Sequence, residues 1–152
     1  MALVPQVALI MGSKNDESKM SKAENLLQEF GVSYEKKVLS AHRMPQKTAQ
    51  YAKNAARRGI KIIIAGAGLA AHLPGVIAAH TTLSVIGVPL SAGALNGQDA
   101  LYAIVQMPRG IPVATVGIDN SANAALLAIE ILALSDARLK QKLTLYRKKI
   151  AK

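Results

Sequence analysis

A chain of 152 residues, 51% hydrophobic and only 18% charged, is long enough for one domain with a sizeable core, and so little charge predicts that apolar faces are covered by self-association. Nineteen Lys and Arg against nine Asp and Glu leave a net charge of +10, which steers anions, while 3% aromatic content supplies few rings to stack on bases and argues against nucleic acid as the partner. The absence of Cys excludes disulfides, thiolate catalysis, Cys-based zinc sites and iron–sulfur clusters; with no secretory start and no apolar run of membrane length, the expected location is the cytoplasm.

In chain order, Val7 to Met11 is a continuous apolar run stopped by Gly12-Ser13, the pattern of a strand covered on both faces. From Asp16 to Phe30 the residues Met20, Ala23, Leu26, Leu27 and Phe30 recur at helical spacing before Gly31. The unit repeats: Ser33 to Leu39 as an apolar strand, Pro45 to Arg58 as a helix opened by Pro and ended by Gly59, and Ile60 to Ala65 as a third strand. A Gly and Ala loop, 66–71, leads to a short helix from Pro74 to His80. Ser84 to Val88 is a fourth strand, Gln98 to Met107 a helix and Pro112 to Val116 a fifth strand. Ser121 to Leu134 and the basic amphipathic stretch Ser135 to Ile150 complete the chain. The alternation predicts a single α/β domain over residues 1–152, three-layered and doubly wound, with a flavodoxin-like parallel five-stranded sheet and an additional C-terminal helix. The many Lys and Arg of that last helix read as a solvated face.

Such a sheet binds ligands at the carboxyl ends of its strands, in the crevice where strand order reverses. Three stretches fall there. After the first strand, Gly12-Ser13-Lys14-Asn15-Asp16 offers amides and a hydroxyl to a phosphate and a carboxylate to ribose hydroxyls, although the S-x-x-D spacing equally describes a helix cap. After the second, Ser40-Ala41-His42-Arg43-Met44-Pro45 sets an imidazole beside a guanidinium: the cation favours a neutral ring able to accept or return a proton, and Arg43 can grip a phosphate bidentately. After the third, Ala65 to Gly75, including Gly68, Ala71 and His72, allows close backbone approach and forms an apolar wall, while the same small residues also suit helix packing between subunits. His42, His72 and His80 lack metal-ligand spacing, so no metal is expected. A fourth stretch, Ser91 to Pro108, reads as loop, helix and turn, from which Gln106 could reach a ligand.

Assembled, these residues resemble the 5-(carboxyamino)imidazole ribonucleotide mutase family of purine biosynthesis. The resemblance is carried by Gly12-Ser13-x-x-Asp16 with Met20, Ser40-Ala41-His42-Arg43-x-Pro45, Ala65 to Gly68, Ala70 to Gly75, Ile86 to Pro89, Ile104 to Pro108 and Asn123 to Ala128, and it covers essentially the whole chain. It implies a homo-octameric isomerase working without metal or cofactor, which moves a carboxyl group from the exocyclic nitrogen to a ring carbon of aminoimidazole ribonucleotide through released carbon dioxide. Carried over by position, His42 is the general acid and base, Ser13 and Arg43 hold the phosphate, Asp16 the ribose, and the stretch from Gly66 to His72 lines the carbon dioxide pocket, with Ser40 shaping the turn. Asn15, Leu69 and Met44 depart from the family's usual Ser, Gly and Thr. A related branch carboxylates aminoimidazole ribonucleotide with free carbon dioxide and typically has Lys after the His; Arg43 and Val105 to Pro108 favour the mutase. A non-catalytic nucleotide-binding module is the reading from another class.

Overall fold

The computed structural model describes residues 3–152. Five parallel strands, β1 (Val7–Met11), β2 (Tyr34–Val38), β3 (Ile62–Gly68), β4 (Ser84–Leu90) and β5 (Ala114–Thr115), form one sheet in the order β2-β1-β3-β4-β5. The helices are α1 (Glu17–Phe30), α2 (Pro45–Ala55), α3 (Leu73–Ala79), α4 (Gln98–Val105), α5 (Ser121–Ala133) and α6 (Ala137–Ile150). This is the expected flavodoxin-like arrangement. Strand order reverses between β1 and β3, so the loops leaving those strands flank one crevice.

Alternation along the central strands sorts the core into two layers. Val7, Leu9 and Met11 face a cluster with Met20, Ala23, Leu27 and Phe30 of α1 and Ala124, Ala128 and Ile129 of α5. Ala8 and Ile10 face the other side, against Ala52 and Ala55 of α2, Leu73 and Ile77 of α3 and Ala100 and Ile104 of α4. Burial on both faces explains why β1 reads as an unbroken apolar run.

Several expectations shift. The run 34–39 is not an apolar strand: β2 is the sheet edge, where Lys37 is exposed and Lys36 Nζ donates to the carboxylates of Glu17 at 2.6 Å and Glu24 at 3.2 Å. The glycines 66 and 68 lie within β3 rather than in a loop, opposite Val88 and Leu90 of β4. They are small because neighbours crowd the strand: a Cβ on Gly66 would stand 2.5 Å from the Met20 sulfur, and one on Gly68 3.1 Å from the Leu90 carbonyl oxygen. β4 likewise runs two residues beyond Val88, through Pro89, whose carbonyl accepts from Asp119 N–H. β5 shrinks to two residues at the opposite edge.

The basic helix α6 is only partly solvated. The Asp136 carboxylate caps it by accepting from Leu139 N–H at 3.1 Å, which holds that carboxyl below its ordinary value. Lys142 Nζ donates to the Phe30 carbonyl oxygen at 2.9 Å, placing a cation at the negative end of α1, and the Tyr146 ring packs on Phe30 with centroids 5.7 Å apart. No described helix is long and apolar enough to cross a membrane.

A tight backbone approach lies under α4. A Cβ on Gly87 would meet Ile104 Cγ2 at 2.4 Å and Val113 Cγ1 at 3.0 Å. Neither branched side chain can swing clear, so Gly87→Ala is expected to cost about 1–3 kcal/mol by overpacking, read as a fall of several degrees in Tm by calorimetry.

Candidate active site

The turn after β2 is built on Ser40, which is 7% exposed. Its carbonyl accepts from Met44 N–H at 2.8 Å and from the buried Thr48 hydroxyl at 3.3 Å, and Thr48 also donates to the Met44 carbonyl at 2.9 Å. Pro45 then opens α2 with its φ preset for a helix. The Ser40 hydroxyl oxygen accepts from Arg43 twice, from the backbone N–H at 3.1 Å and from Nε at 3.3 Å. Arg43 Nη2 reaches back to the Gly12 carbonyl at 3.3 Å. The guanidinium is thereby held across the ends of β1 and β2, with donors left for an anion.

At the end of β1 the S-x-x-D spacing forms a helix cap whose side chains also border the site. The Ser13 hydroxyl accepts from Asn15 N–H and the Asp16 carboxylate accepts from Ser13 N–H, each at 3.2 Å, closing a capping box over the single 3-10 turn Lys14–Asp16. Asp16 N–H donates to the Ser13 carbonyl. Three amides of this turn, those of Ser13, Asn15 and Asp16, are therefore already satisfied. Burial pushes the Asp16 carboxyl above its ordinary 3.8, against the opposing pull of the Ser13 N–H and of Lys19.

The loop leaving β3 brings His72 to the turn: His42 Nε2 and His72 Nδ1 lie 2.7 Å apart, with the rings edge to face and centroids 4.8 Å apart. A hydrogen bond of this length needs a proton on one nitrogen and a lone pair on the other. Beside it, Leu69 has φ +56. The left-handed region costs a non-glycine residue about 1–2 kcal/mol, and Leu, unlike the Asn and Asp at the other non-glycine positive-φ positions among the described residues, Asn96 and Asp119, is not a residue type enriched there.

These elements enclose a cavity of about 570 Å³ at the switch point, large enough for a nucleotide. Ser13, Asp16, Ser40, Arg43 and Gly68 line it together with His42 and His72. Ala71 does not; it is 1% exposed and packs in the α2–α3 side of the core, beneath the loop. Gln106 stands exposed at the end of α4, away from the cavity. Asn15, Leu69 and Ala92 also line it. Ala92 carries no chemical signal in sequence, and only the pairing of β4 with β3 brings its loop here.

That loop is anchored from α1. Lys19 Nζ donates to the Ser91 hydroxyl at 2.8 Å and to its carbonyl, and lies 3.8 Å from Asp119, whose carboxylate accepts from Ser91 N–H at 2.8 Å and from the Ser91 hydroxyl. Burial pushes the Asp119 carboxyl up, but the Ser91 and Lys19 donors prevail and hold it below its ordinary value.

With this geometry in place, comparison with known proteins is decisive. The family model described as AIR carboxylase matches residues 6–152. The chain belongs to the AIR carboxylase family. Among its relatives, the N5-carboxyaminoimidazole ribonucleotide mutase of Pyrococcus abyssi is 58% identical over 144 residues, 95% of this chain and 83% of that protein. The phosphoribosylaminoimidazole carboxylase of Saccharomyces cerevisiae is 56% identical over 133 residues, which make up 88% of this chain but 23% of that protein. Among solved structures, PurE of Treponema denticola superposes with a TM-score of 0.88 at 30% identity, covering 97% of this chain and 92% of that one. AIR carboxylase family membership thus accounts for the full span of the α/β fold, cavity included.

Proposed function

We propose that the chain converts 5-(carboxyamino)imidazole ribonucleotide to 4-carboxy-5-aminoimidazole ribonucleotide in purine biosynthesis, an intramolecular carboxyl transfer. The observation that carries this reading is its similarity, at 50–58% identity and over 81–89% of their lengths, to proteins named as the mutase. Arg43 after His42, where the carboxylase branch typically has Lys, points the same way.

In this reading the phosphate sits against Arg43, whose guanidinium is aimed by Ser40 and Gly12, and takes further hydrogen bonds from the hydroxyls of Ser13 and Ser40. Both hydroxyls use their oxygens internally as acceptors, so their protons are free to be donated outward. Asp16 accepts from the ribose hydroxyls. The base then reaches the end of the cavity walled by Ala67, Gly68, Leu69, Ala70 and Ala92, with the His42–His72 pair at the boundary between the polar and apolar ends.

Loaded as an acid, His42 holds its proton on Nε2 against the lone pair of His72 Nδ1. As the carbamate C–N bond breaks, the nitrogen keeps the electron pair and takes that proton, releasing carbon dioxide. The ring carbon attacks the carbon dioxide to form the new C–C bond, and its displaced hydrogen returns as a proton to His42. Holding the released molecule beside its acceptor replaces a bimolecular encounter and supplies the rest of the acceleration. A homo-octameric, cytoplasmic enzyme belongs to the same proposal; the exposed Leu95, Tyr102, Val105 and Leu134 support contacts between copies.

Asp16 makes the reading pH-sensitive. Because burial raises its folded-state pKa, the proton binds more tightly than to an ordinary Asp, and the carboxylate is lost at a higher pH as the solution is acidified. KM for the ribonucleotide is therefore expected to rise on acidification before pH reaches the ordinary 3.8. Asp16→Asn, which can still accept from Ser13 N–H, raises KM at neutral pH and flattens that acid limb, as a pH series of initial rates will record. To separate enzyme from binding module, the protein is offered the carbamate nucleotide and, separately, a phosphate polyanion at rising salt. The mutase turns over the nucleotide; a binding module gives only polyanion affinity that falls steeply with salt.

A further inference from the structure

One cation stands where its own helix disfavours it. Lys19 lies in the first turn of α1, three residues after Asp16, and a positive charge at a helix N-terminus opposes the helix dipole, so local structure gives no reason for it. The reason lies at the end of β4. Ser91 follows Leu90, the last residue of that strand, and all of its polar groups are committed. Lys19 Nζ donates to its hydroxyl at 2.8 Å and to its carbonyl, while its N–H and hydroxyl donate to the two carboxylate oxygens of Asp119. Asp119 N–H donates to the Pro89 carbonyl at 2.8 Å, and the Ser121 hydroxyl donates to the Lys19 carbonyl at 2.6 Å. Beyond Ser91 the loop has little of its own to hold it: no side chain caps the 3-10 turn Gly93–Leu95, and Gly93, Asn96 and Gly97 all take positive φ. Ala92, between the clamp and that turn, lines the cavity, and a Cβ on Gly68 would stand 3.3 Å from its Cβ, so Ala92 packs against the end of β3.

We propose that Lys19 is a positioning residue for the reaction: by tying Ser91 and Asp119 to the first turn of α1, it sets the Ala92 wall at a fixed distance from Asp16, and so places the base beside His42 once the ribose is gripped. This rests on the mutase reading above. Lys19 lies outside the cavity lining and moves no proton; its effect passes through Ser91 to Ala92. The tie is partly exposed, with the side chains of Lys19 and Asp119 35% and 38% accessible, so it contributes little to global stability. What it governs is the fit of the base between wall and acid, where a misplacement of about 1 Å can cost on the order of 10²-fold in rate.

The test compares the wild-type chain with Lys19→Met, which keeps most of the stem and removes the charge, with Lys19→Arg, and with Asp119→Asn, whose new residue tolerates the left-handed backbone there. Each is followed by single-turnover conversion of the carbamate nucleotide, by titration with ribose 5-phosphate and by calorimetry. For Lys19→Met the expected result is a single-turnover rate lowered about 10-fold, an affinity for ribose 5-phosphate within about 2-fold of wild type, and a Tm shift of no more than about 4 °C. Lys19→Arg, which can donate to the same acceptors, recovers most of the rate. Combining Lys19→Met with Asp119→Asn lowers the rate little beyond the slower single variant, since both release the same loop. A Lys19→Met rate equal to wild type overturns the proposal alone, as do losses that multiply in the double variant. So does an affinity for ribose 5-phosphate that falls as far as the rate, which would put the effect on Asp16, or a rate loss matched by a collapse of Tm, which would make Lys19 a stabilising residue only. A wild-type chain that fails to convert the carbamate nucleotide at all overturns the mutase reading, and this proposal with it.

Discussion

His42→Asn is expected to lower kcat for carboxyl transfer by a factor of about 10² to 10⁴ while leaving ribonucleotide binding in place. Asn is polar and small enough for the turn, whose backbone is held by Ser40 and Thr48 and not by the imidazole, so the fold and the Arg43 guanidinium stay where they are. What is lost is the group that hands a proton to the departing nitrogen and takes one from the ring carbon, each in a transition state that no neighbouring side chain serves. His72 lies 2.7 Å from His42 Nε2 but follows the apolar loop 69–71, and in the free protein it serves His42 as hydrogen-bond partner. Isothermal titration with the product nucleotide and single-turnover rates separate the two effects. Near wild-type turnover in this variant sinks the acid–base assignment.

Arg43→Ala acts on binding instead. A charge-assisted hydrogen bond to a phosphate is worth about 1.5–3 kcal/mol, so KM is expected to rise roughly 10- to 150-fold with a smaller change in kcat. Arg43→Lys recovers only part of this, because an ammonium cannot match the planar fork that Ser40 and the Gly12 carbonyl hold in place. A loss of kcat equal to the loss of kcat/KM would place Arg43 at the reacting centre and not at the phosphate.

Much of this architecture is legible in the residues because local and global signals agree. The apolar run of β1, the 3.6-residue spacing in α1 and the Pro45 and Gly59 punctuation of the second helix each mark an element, and their alternation forces parallel strands. Glycine and alanine are where the signal fails. The stretch 66–68 has the composition of a loop, yet it is strand, since the requirement it meets is lack of bulk beneath Met20 and beside Leu90, and that requirement comes from elements far away in sequence. β2 is misread in the opposite sense: its charges look incidental until its place at the sheet edge is known.

The site divides in the same way. Ser13, Asp16, Ser40, His42 and Arg43 stand out because polar groups crowd the ends of two strands, and all five line the cavity. The bond between His42 and His72 spans 30 residues and exists only because β1 lies between β2 and β3, so no spacing rule announces it. Ala71, adjacent to the histidine, turns inward to the core between Ala70 and His72, both of which line the cavity. The anchoring of Ser91 by Lys19 and Asp119 joins three separate stretches, and each of its members reads as an ordinary surface residue in isolation.

The central claim is that the carboxyl group moves within one substrate. The most direct measurement runs two reactions side by side, one with 5-(carboxyamino)imidazole ribonucleotide in bicarbonate-depleted buffer and one with aminoimidazole ribonucleotide plus bicarbonate, and follows which nucleotide disappears into the 4-carboxylated product. Rapid consumption of the carbamate nucleotide, with little conversion of aminoimidazole ribonucleotide at matched concentration, is the result predicted for a mutase. Consumption of aminoimidazole ribonucleotide with bicarbonate while the carbamate nucleotide decays no faster than in buffer would contradict it and assign the cavity to a carboxylase.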